Sequence, residues 1–570
     1  MASNSDNYEF AKSATPQSVS SYSAFSDKQY GFLNDVNNGV YSTNGGLTSV
    51  EWDLTSIYNS SNYSDASNLF MTIPIVLVAT TSNGAVLTAP PTGASSLVTL
   101  KNGYQGLVHQ IEITANGKTI HDTQAFQSLY TNFKMLSSMS ANDLQCNAPT
   151  LGLAPMLDNE KSMRYFSAAA PGGTAQNGIG ITNNLAFNIA TATGLVAAAQ
   201  NSNSFNPAVA ARASRIADTT ATGNAWNNFY GAGKLLSATE LIKEFKPYFT
   251  VAADVMYWYD VAVIPLKYLV DGIDKLGLVK KLDLKVRIYL NCGSIQSTIL
   301  TPNTFTNYGA WSSNFGGSCP LSINYLGPTS LTAATTLITA GCFVARNPSS
   351  MGTGTAIATP QVSHPMGACR MYYSQVKLEP SKDIAYRQAN SDKLVVYERI
   401  LYNTDANISV GMSYSKLINS GIKNPIGIAI IPLIAKATAG YSQYESPYDQ
   451  CPSTYSPLSL TNLQVSLGGV NMLSTTLSYT FENFIEQVAL AETLTSADIG
   501  LSVGLIGEQW WENNRVYWVD LARSRDADKT SERNVNVSFT NNSLVAIDVV
   551  YFTVYLDSFK INIERGIVNK

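Results

Sequence analysis

Apolar and polar residues alternate with a period of two along most of this chain. In "IEITA" (111–115) and "LKVRIYL" (284–290) every second side chain is apolar, the pattern of a strand with one buried face. Comparable runs, rich in Val, Ile, Tyr and Thr and bounded by Gly, Asn, Ser and Pro, predict strands at 69–79, 107–114, 255–264, 282–291, 369–377, 393–402, 426–435, 462–467, 515–522, 533–539 and 546–557. Helical spacing is convincing only near 124–138, 239–245, 266–275 and 480–494. Many short strands with few helices predict an all-β sandwich or barrel. Pro74 and Pro432 interrupt two strongly apolar runs and suit edge or end positions of strands.

One strand–turn–strand–helix unit occurs twice. The first copy, "VHQIEITANGKTIHDTQAFQSLYTNF" (108–133), turns at Asn116-Gly117 and leads into a helix carrying Phe126, Tyr130 and Phe133. The second, within "NLQVSLGGVNMLSTTLSYTFENF" (462–484), turns at Gly468-Gly469 and leads to Phe481 and Phe484. "YTNF" and "FENF" match at an offset of 351 residues. A later pair of alternating strands, 281–291 and 546–557, places Tyr289 against Tyr555 as a further match in the same order. Repetition of ordered landmarks predicts a duplicated domain of about 250 residues. The first copy has extra chain between its landmarks, over about 150–235. This Ala-, Gly-, Thr- and Asn-rich stretch holds no period and predicts a long excursion over its own domain or a neighbour.

Composition sharpens the picture. Hydrophobic residues make up 45% and charged residues only 13%, with 31 tyrosines. That charge content is about half of the ordinary value for soluble domains. A weakly charged polar surface suits contact with copies of the same chain, where charges would have to be desolvated, or a secreted β-rich binding protein. The net charge of −4 argues against a general nucleic-acid binder. The first 46 residues hold Asp6, Glu9, Asp27 and Asp35 against Lys12 and Lys28, so they are not a basic genome-packaging arm. The amino terminus lacks the basic and apolar regions of a cleaved signal, and the apolar runs are too short to span a membrane. The expectation is a soluble protein made in a reducing compartment.

The sequence holds no recognisable catalytic, cofactor or metal-binding set. The cysteines at 146, 292, 319, 342, 369 and 451 contain no CxxC, and histidines occur only at 109, 121 and 364. Buried free thiols are expected. Asp526 and Asp528 in "RSRDADK" could hold a divalent cation, but three basic neighbours favour a charged loop. "GIGITNN" (178–184) lacks the setting of a dinucleotide loop. His364 and Cys369 flank a turn rather than forming a nucleophile pair, and His109 and His121 are expected to face each other across the hairpin. Trp510, Trp511 and Trp518 are expected in a core or subunit contact, or else exposed as a sugar platform.

Taken together, "GYQGLVHQIEITANGKTIHDTQAFQSLYTNF", "LQVSLGGVNML…YTFENFIEQ", "EQWWENNRVYWVDLARSRDADK" and "NVNVSFTNNSLVAIDVVYFTVYLD" resemble the major capsid proteins of polinton-like viruses, in the adenovirus and virophage-type lineage. The resemblance covers most of 50–565. It implies a double jelly roll: two tandem eight-stranded jelly rolls with a few short helices and a long loop insertion in the first roll. It also implies homotrimers of nearly hexagonal outline, trimer–trimer contacts in an icosahedral shell, and penton and minor capsid proteins as partners. Such a protein would reside in the virion after assembly inside the host cell, perform no reaction, need no cofactor, and have no specific nucleic acid partner or membrane span. The expected division is a polar segment 1–46, a first roll 47–295, a second roll 296–563 and a tail 564–570. A carbohydrate-binding β-sandwich and a hydrolase on a β scaffold remain the alternatives.

Overall fold

The structure is a computed structural model that describes residues 25–41, 48–81, 97–100, 103–123, 125–140, 142–143, 146–147, 151–152, 249–252, 255–300, 304–308, 318–324, 335–346, 350–351, 357–358, 363–435, 458–474, 478–490, 503–522, 531–562 and 566–569. The expected excursion over about 150–235, the helix expected at 239–245, Cys451, Asp526 and Asp528 lie wholly or almost wholly outside them.

Two sandwiches of eight principal strands each account for most of the described chain. In the first, β1 (Phe25–Asn34), β2 (Thr48–Asp53), β3 (Tyr63–Thr81), β4 (Val108–Ala115) and β5 (Lys118–Asp122) precede helix α1 (Gln127–Ser138). Strands β6 (Val255–Pro265), β7 (Leu284–Leu290) and β8 (Arg370–Leu378) follow it. Helix α2 (Pro380–Ala389) leads to the second sandwich: β9 (Asp392–Ile408), β10 (Ser413–Ile422), β11 (Pro425–Ile434), β12 (Leu460–Leu467) and β13 (Val470–Asn471). Then come helices α3 (Phe481–Leu490) and α4 (Glu508–Asn513), and strands β14 (Tyr517–Asp520), β15 (Arg533–Asn541) and β16 (Ile547–Asn562).

The pairings repeat with an offset of eight strands. One sheet of the first sandwich runs β1-β8-β3-β6, and its counterpart runs β9-β16-β11-β14. The facing sheets run β2-β7-β4-β5 and β10-β15-β12-β13. Two four-stranded antiparallel sheets joined in this order are a jelly roll. The chain is therefore all-β and contains two tandem jelly rolls, as expected.

Alternation builds each core. Leu284, Val286, Ile288 and Leu290 of β7 are buried, while Arg287 on the outer face meets Glu51 at 2.6 Å and Glu112 at 3.6 Å on the flanking strands. The run at 69–79 reads as continuously apolar because β3 is covered on both faces: beside the main core, Val76, Val78 and Phe343 form a second small cluster. Pro74 is central rather than at a sheet edge. It sits where the partner of β3 changes from β8 to Thr335–Val344, so its missing N–H leaves no gap in a regular ladder.

Strand pairing differs from the sequence-based division in three places. The rolls separate at α2, not at 295/296: after β7 the chain runs through 292–369, where Thr335–Val344 pairs with β3, before β8 enters between β1 and β3. Most of this stretch, expected to open the second roll, is an insertion within the first. The segment 1–46 contains the first strand of that roll. β1 exposes most of both faces, so no alternation marks it. Within the tail, Ile567–Asn569 pairs with the end of β16, and Val568 enters the first core. The Tyr289–Tyr555 match also fails. Tyr289 lies on β7, whose counterpart is β15, whereas Tyr555 lies on β16; alternation identifies a strand but not its place in a sheet.

Candidate functional site: the junction between the two rolls

The repeated hairpins are built alike. Asn116 and Gly117 adopt φ of 50° and 73°, and Gly468 and Gly469 adopt 59° and 85°. Two successive left-handed residues make the tight turn that fits the twist of a hairpin, and Asn and Gly tolerate that backbone. Asn116 does further work: its Oδ1 accepts from the Asp283 amide at 2.7 Å, and its Nδ2 donates to the Gly566 carbonyl. The first hairpin thus holds the carboxy-terminal strand.

Each aromatic helix follows its hairpin, and the two helices meet. Phe126, Leu129, Tyr130, Phe133 and Leu136 belong to the first roll in sequence but to the second roll's core in space. Phe133 lies 6.3 Å from Phe484 and 6.0 Å from Trp518, ring centre to ring centre, and Tyr130 lies 5.8 Å from Phe552. Phe481 stacks on Phe484 at 6.0 Å and approaches Trp511 at 5.9 Å. Trp510, Trp511 and Trp518 are all buried here. The Trp511 indole N–H donates to the Val516 carbonyl at 2.8 Å, and the Arg515 guanidinium covers its face at 3.8 Å.

The exchange is reciprocal. β9 and β16 are long enough to run past their own roll, and Val395, Tyr397, Phe559 and Ile561 enter the first roll's core. Gly272 makes room for them. Its φ is +85°, and a Cβ there would stand 2.6 Å from the Tyr397 Cβ. Burying apolar surface of each roll in the other fixes their relative placement, with aromatic contacts adding directionality.

Charges bridge the same junction. Lys134 of α1 meets Glu398 of β9 at 2.5 Å, and the Glu398 amide donates to Asp271 Oδ2 at 2.9 Å. Lys275 meets that same oxygen at 3.1 Å. Burial alone would lower the Lys134 pKa, but the Glu398 and Asp271 carboxylates outweigh it and raise it. Burial likewise opposes ionisation of Asp271, and Lys134 and Lys275 overcome it, holding the carboxyl below its ordinary range. Nothing in the sequence pairs these residues, since Lys134 and Glu398 are 264 positions apart.

The remaining candidates resolve individually. His121 stands opposite Ile113 rather than His109. Its ring approaches Tyr397 at 6.0 Å, while that of His109 lies edge-on to Phe126 at 5.1 Å. The cross-strand histidine pair therefore does not form, because the two-residue turn sets another register. His364 Nδ1 accepts from the Met366 amide at 3.0 Å, and the Cys369 amide donates to Tyr41 at 2.8 Å. Burial pushes the Cys369 thiol well up, the opposite of an activated nucleophile. Cys292, Cys342 and Cys369 are buried free thiols, the buried Cys319 Sγ lies 3.8 Å from the Leu321 carbonyl, and burial pushes Cys292 to about 12. Among the described residues no three His, Cys, Asp or Glu side chains are grouped to hold a metal ion. No described helix is long and apolar enough to cross a membrane.

No family model and no curated protein matches the chain. Among solved structures it is similar to a chain of the Sputnik virophage, at 10% identity and a TM-score of 0.47 over 97% of this chain and 90% of that one. It is also similar to the mavirus major capsid protein, at 10% and 0.43 over 100% and 94%. The Faustovirus major capsid protein aligns at 10% and 0.42 over 97% and 93%.

Proposed function

We propose that this chain is a major capsid protein of a double-stranded DNA virus, a building block that forms pseudo-hexagonal homotrimers tiling an icosahedral shell. The observation that carries this reading is the junction: two jelly rolls of identical connectivity, each lending part of itself to the other's core. Two similar rolls per chain, times three chains, present six similar wedges, which is what one protein needs to fill a hexagonal array. Closed threefold symmetry then buries heterologous contacts.

The loop lengths support one orientation of the chain in the shell. The connections β1–β2, β3–β4, β5–β6 and β7–β8 leave the same end of the first roll, and three of them are long. They run over 82–107, 123–254 and 291–369. The opposite end closes with the two-residue turn at Asn116-Gly117 and short helical turns at Thr55–Tyr58, Leu266–Leu269 and Ile273–Leu276. On this reading the elaborated end faces outward and the short-turned end faces the shell interior, with penton and minor capsid proteins as partners elsewhere.

The sugar-binding alternative loses its principal candidate platform, because Trp510, Trp511 and Trp518 are in the core. Native mass spectrometry of the purified chain tests the proposal. A species near three times 61.4 kDa that resists dissociation is expected; a monodisperse monomer at micromolar concentration rejects it.

A further inference from the structure

Among the described residues, large exposed apolar side chains are not scattered. All but Val470 and Leu544 lie on the first strand of a roll, the approach to it, the turn after it, or the strand that follows. In the first roll these are Tyr30 and Phe32 of β1, 74% and 50% exposed, with Val36 and Val40 in the turn toward β2. In the second roll Val410 and Met412 occupy the turn between β9 and β10, and Leu417 lies on β10. The eight-strand offset makes these corresponding walls, one per roll.

We propose that the two walls meet between copies: the first-roll wall of one chain packs against the second-roll wall of the next. This rests on the capsid-subunit reading and names the surfaces it uses. Several features point to a second copy as the occupant. A closed ring built from heterologous contacts requires each chain to present two different surfaces, one given and one received, and the chain has two. A single foreign partner would need only one. The second wall is also continuous with an interface already present, since Leu394 and Val396 face outward on β9 while Val395 and Tyr397, alternating with them, are buried against the first roll. Charges beside the second wall are already paired within the chain, Lys416 with Asp405 and Arg399 with Asp557, so covering them needs no new counter-ion.

A sugar platform fits the first wall less well. Phe32 stands 5.6 Å from Tyr372, which stacks on Phe70 at 4.7 Å, giving an aromatic row across three strands. The Arg370 guanidinium lies over the Phe32 ring at 4.6 Å and occupies a face that a sugar would need. Contiguous exposed apolar surface of this kind marks protein contacts.

Sedimentation velocity on the full chain, with variants Tyr30→Ser/Phe32→Ser and Met412→Ser/Leu417→Ser, tests the pairing. All four side chains are exposed, so circular dichroism should remain that of the wild type. The wild type is expected as a trimer, and each double variant should raise the concentration of half-dissociation at least a hundredfold. Val470→Ser/Leu544→Ser should leave it unchanged. Mixing the two wall variants should yield a dimer through the one intact wall pair. Hydroxyl-radical footprinting of the wild-type trimer should find Tyr30 and Met412 protected. A trimeric wild type whose wall variants associate equally well, or whose Tyr30 and Met412 react freely, overturns this inference and leaves the subunit reading standing. A wild type that stays monomeric overturns the subunit reading itself.

Discussion

Replacing Phe133 by Ala should damage the roll to which Phe133 does not belong in sequence. The side chain is fully buried and contacts Phe484, Trp518 and Tyr130. Truncating a buried Phe costs about 3–5 kcal/mol through lost transfer free energy and the cavity left behind. Within that sum, the aromatic contacts contribute roughly 0.5–1.5 kcal/mol each. A loss near 4 kcal/mol multiplies the open population of the affected unit by roughly a thousandfold. Hydrogen exchange followed by mass spectrometry locates the effect. Amides of β11, β14 and β16 should exchange much faster, while the β2-β7-β4-β5 sheet changes little. Phe484→Ala should mimic it, and the double variant should fall short of additivity because the rings touch. Acceleration confined to the first roll, or a loss below about 1 kcal/mol, would refute the reciprocal core.

Other consequences follow from the same junction. Glu398→Gln removes the carboxylate that Lys134 contacts directly, leaving Asp271 and Asp274 as its neighbouring charges, and should cost roughly 1–3 kcal/mol in urea unfolding, the lower end reflecting the partial exposure of Lys134. Lys134→Met combined with Glu398→Leu should recover most of that loss, and failure to recover would mean that the charges themselves hold the rolls. Gly272→Ala forces a Cβ into Tyr397 at positive φ and should lower the melting temperature clearly, whereas Gly117→Ala, with nothing nearby, should lower it only by backbone strain. Acid should weaken the fold through His109 and His364, whose pKa values burial lowers to about 4. Because the folded state favours neutral imidazole, the stability they confer is complete above about pH 6.5. It falls as pH drops toward 4, by roughly 3 kcal/mol per histidine. His109→Phe should flatten that slope in thermal melts, and an unchanged slope would remove His109 from the account.

Much of the architecture was legible because alternation is local. β4, β7, β12 and β15 each bury every second residue against one core, and a period of two records that directly. The hairpins were legible for the same reason: Asn116-Gly117 and Gly468-Gly469 are adjacent residues with a backbone preference that few others share. What escaped depends on contacts distant in sequence. β1 exposes both faces, so its pairing with β8 leaves no hydrophobic signature, and the first roll therefore appeared to begin too late and to end too early. Helix α2 has no buried residue and carries no apolar stripe strong enough to stand out. For α1 the aromatic face was clear, but not which core it enters. Burial on nearly every side, including Gln127, Thr131 and Asn132, reflects a site between two rolls. The Lys134–Glu398–Asp271 group joins three separate elements, and no spacing rule connects them.

The most direct measurement of the central claim is electron microscopy of the purified chain. Two equivalent rolls locked in each chain predict particles with threefold symmetry and six similar lobes in a nearly hexagonal outline. Two-lobed single-chain particles at concentrations where a large interface would close, or lobes within a chain that do not superimpose, would contradict it.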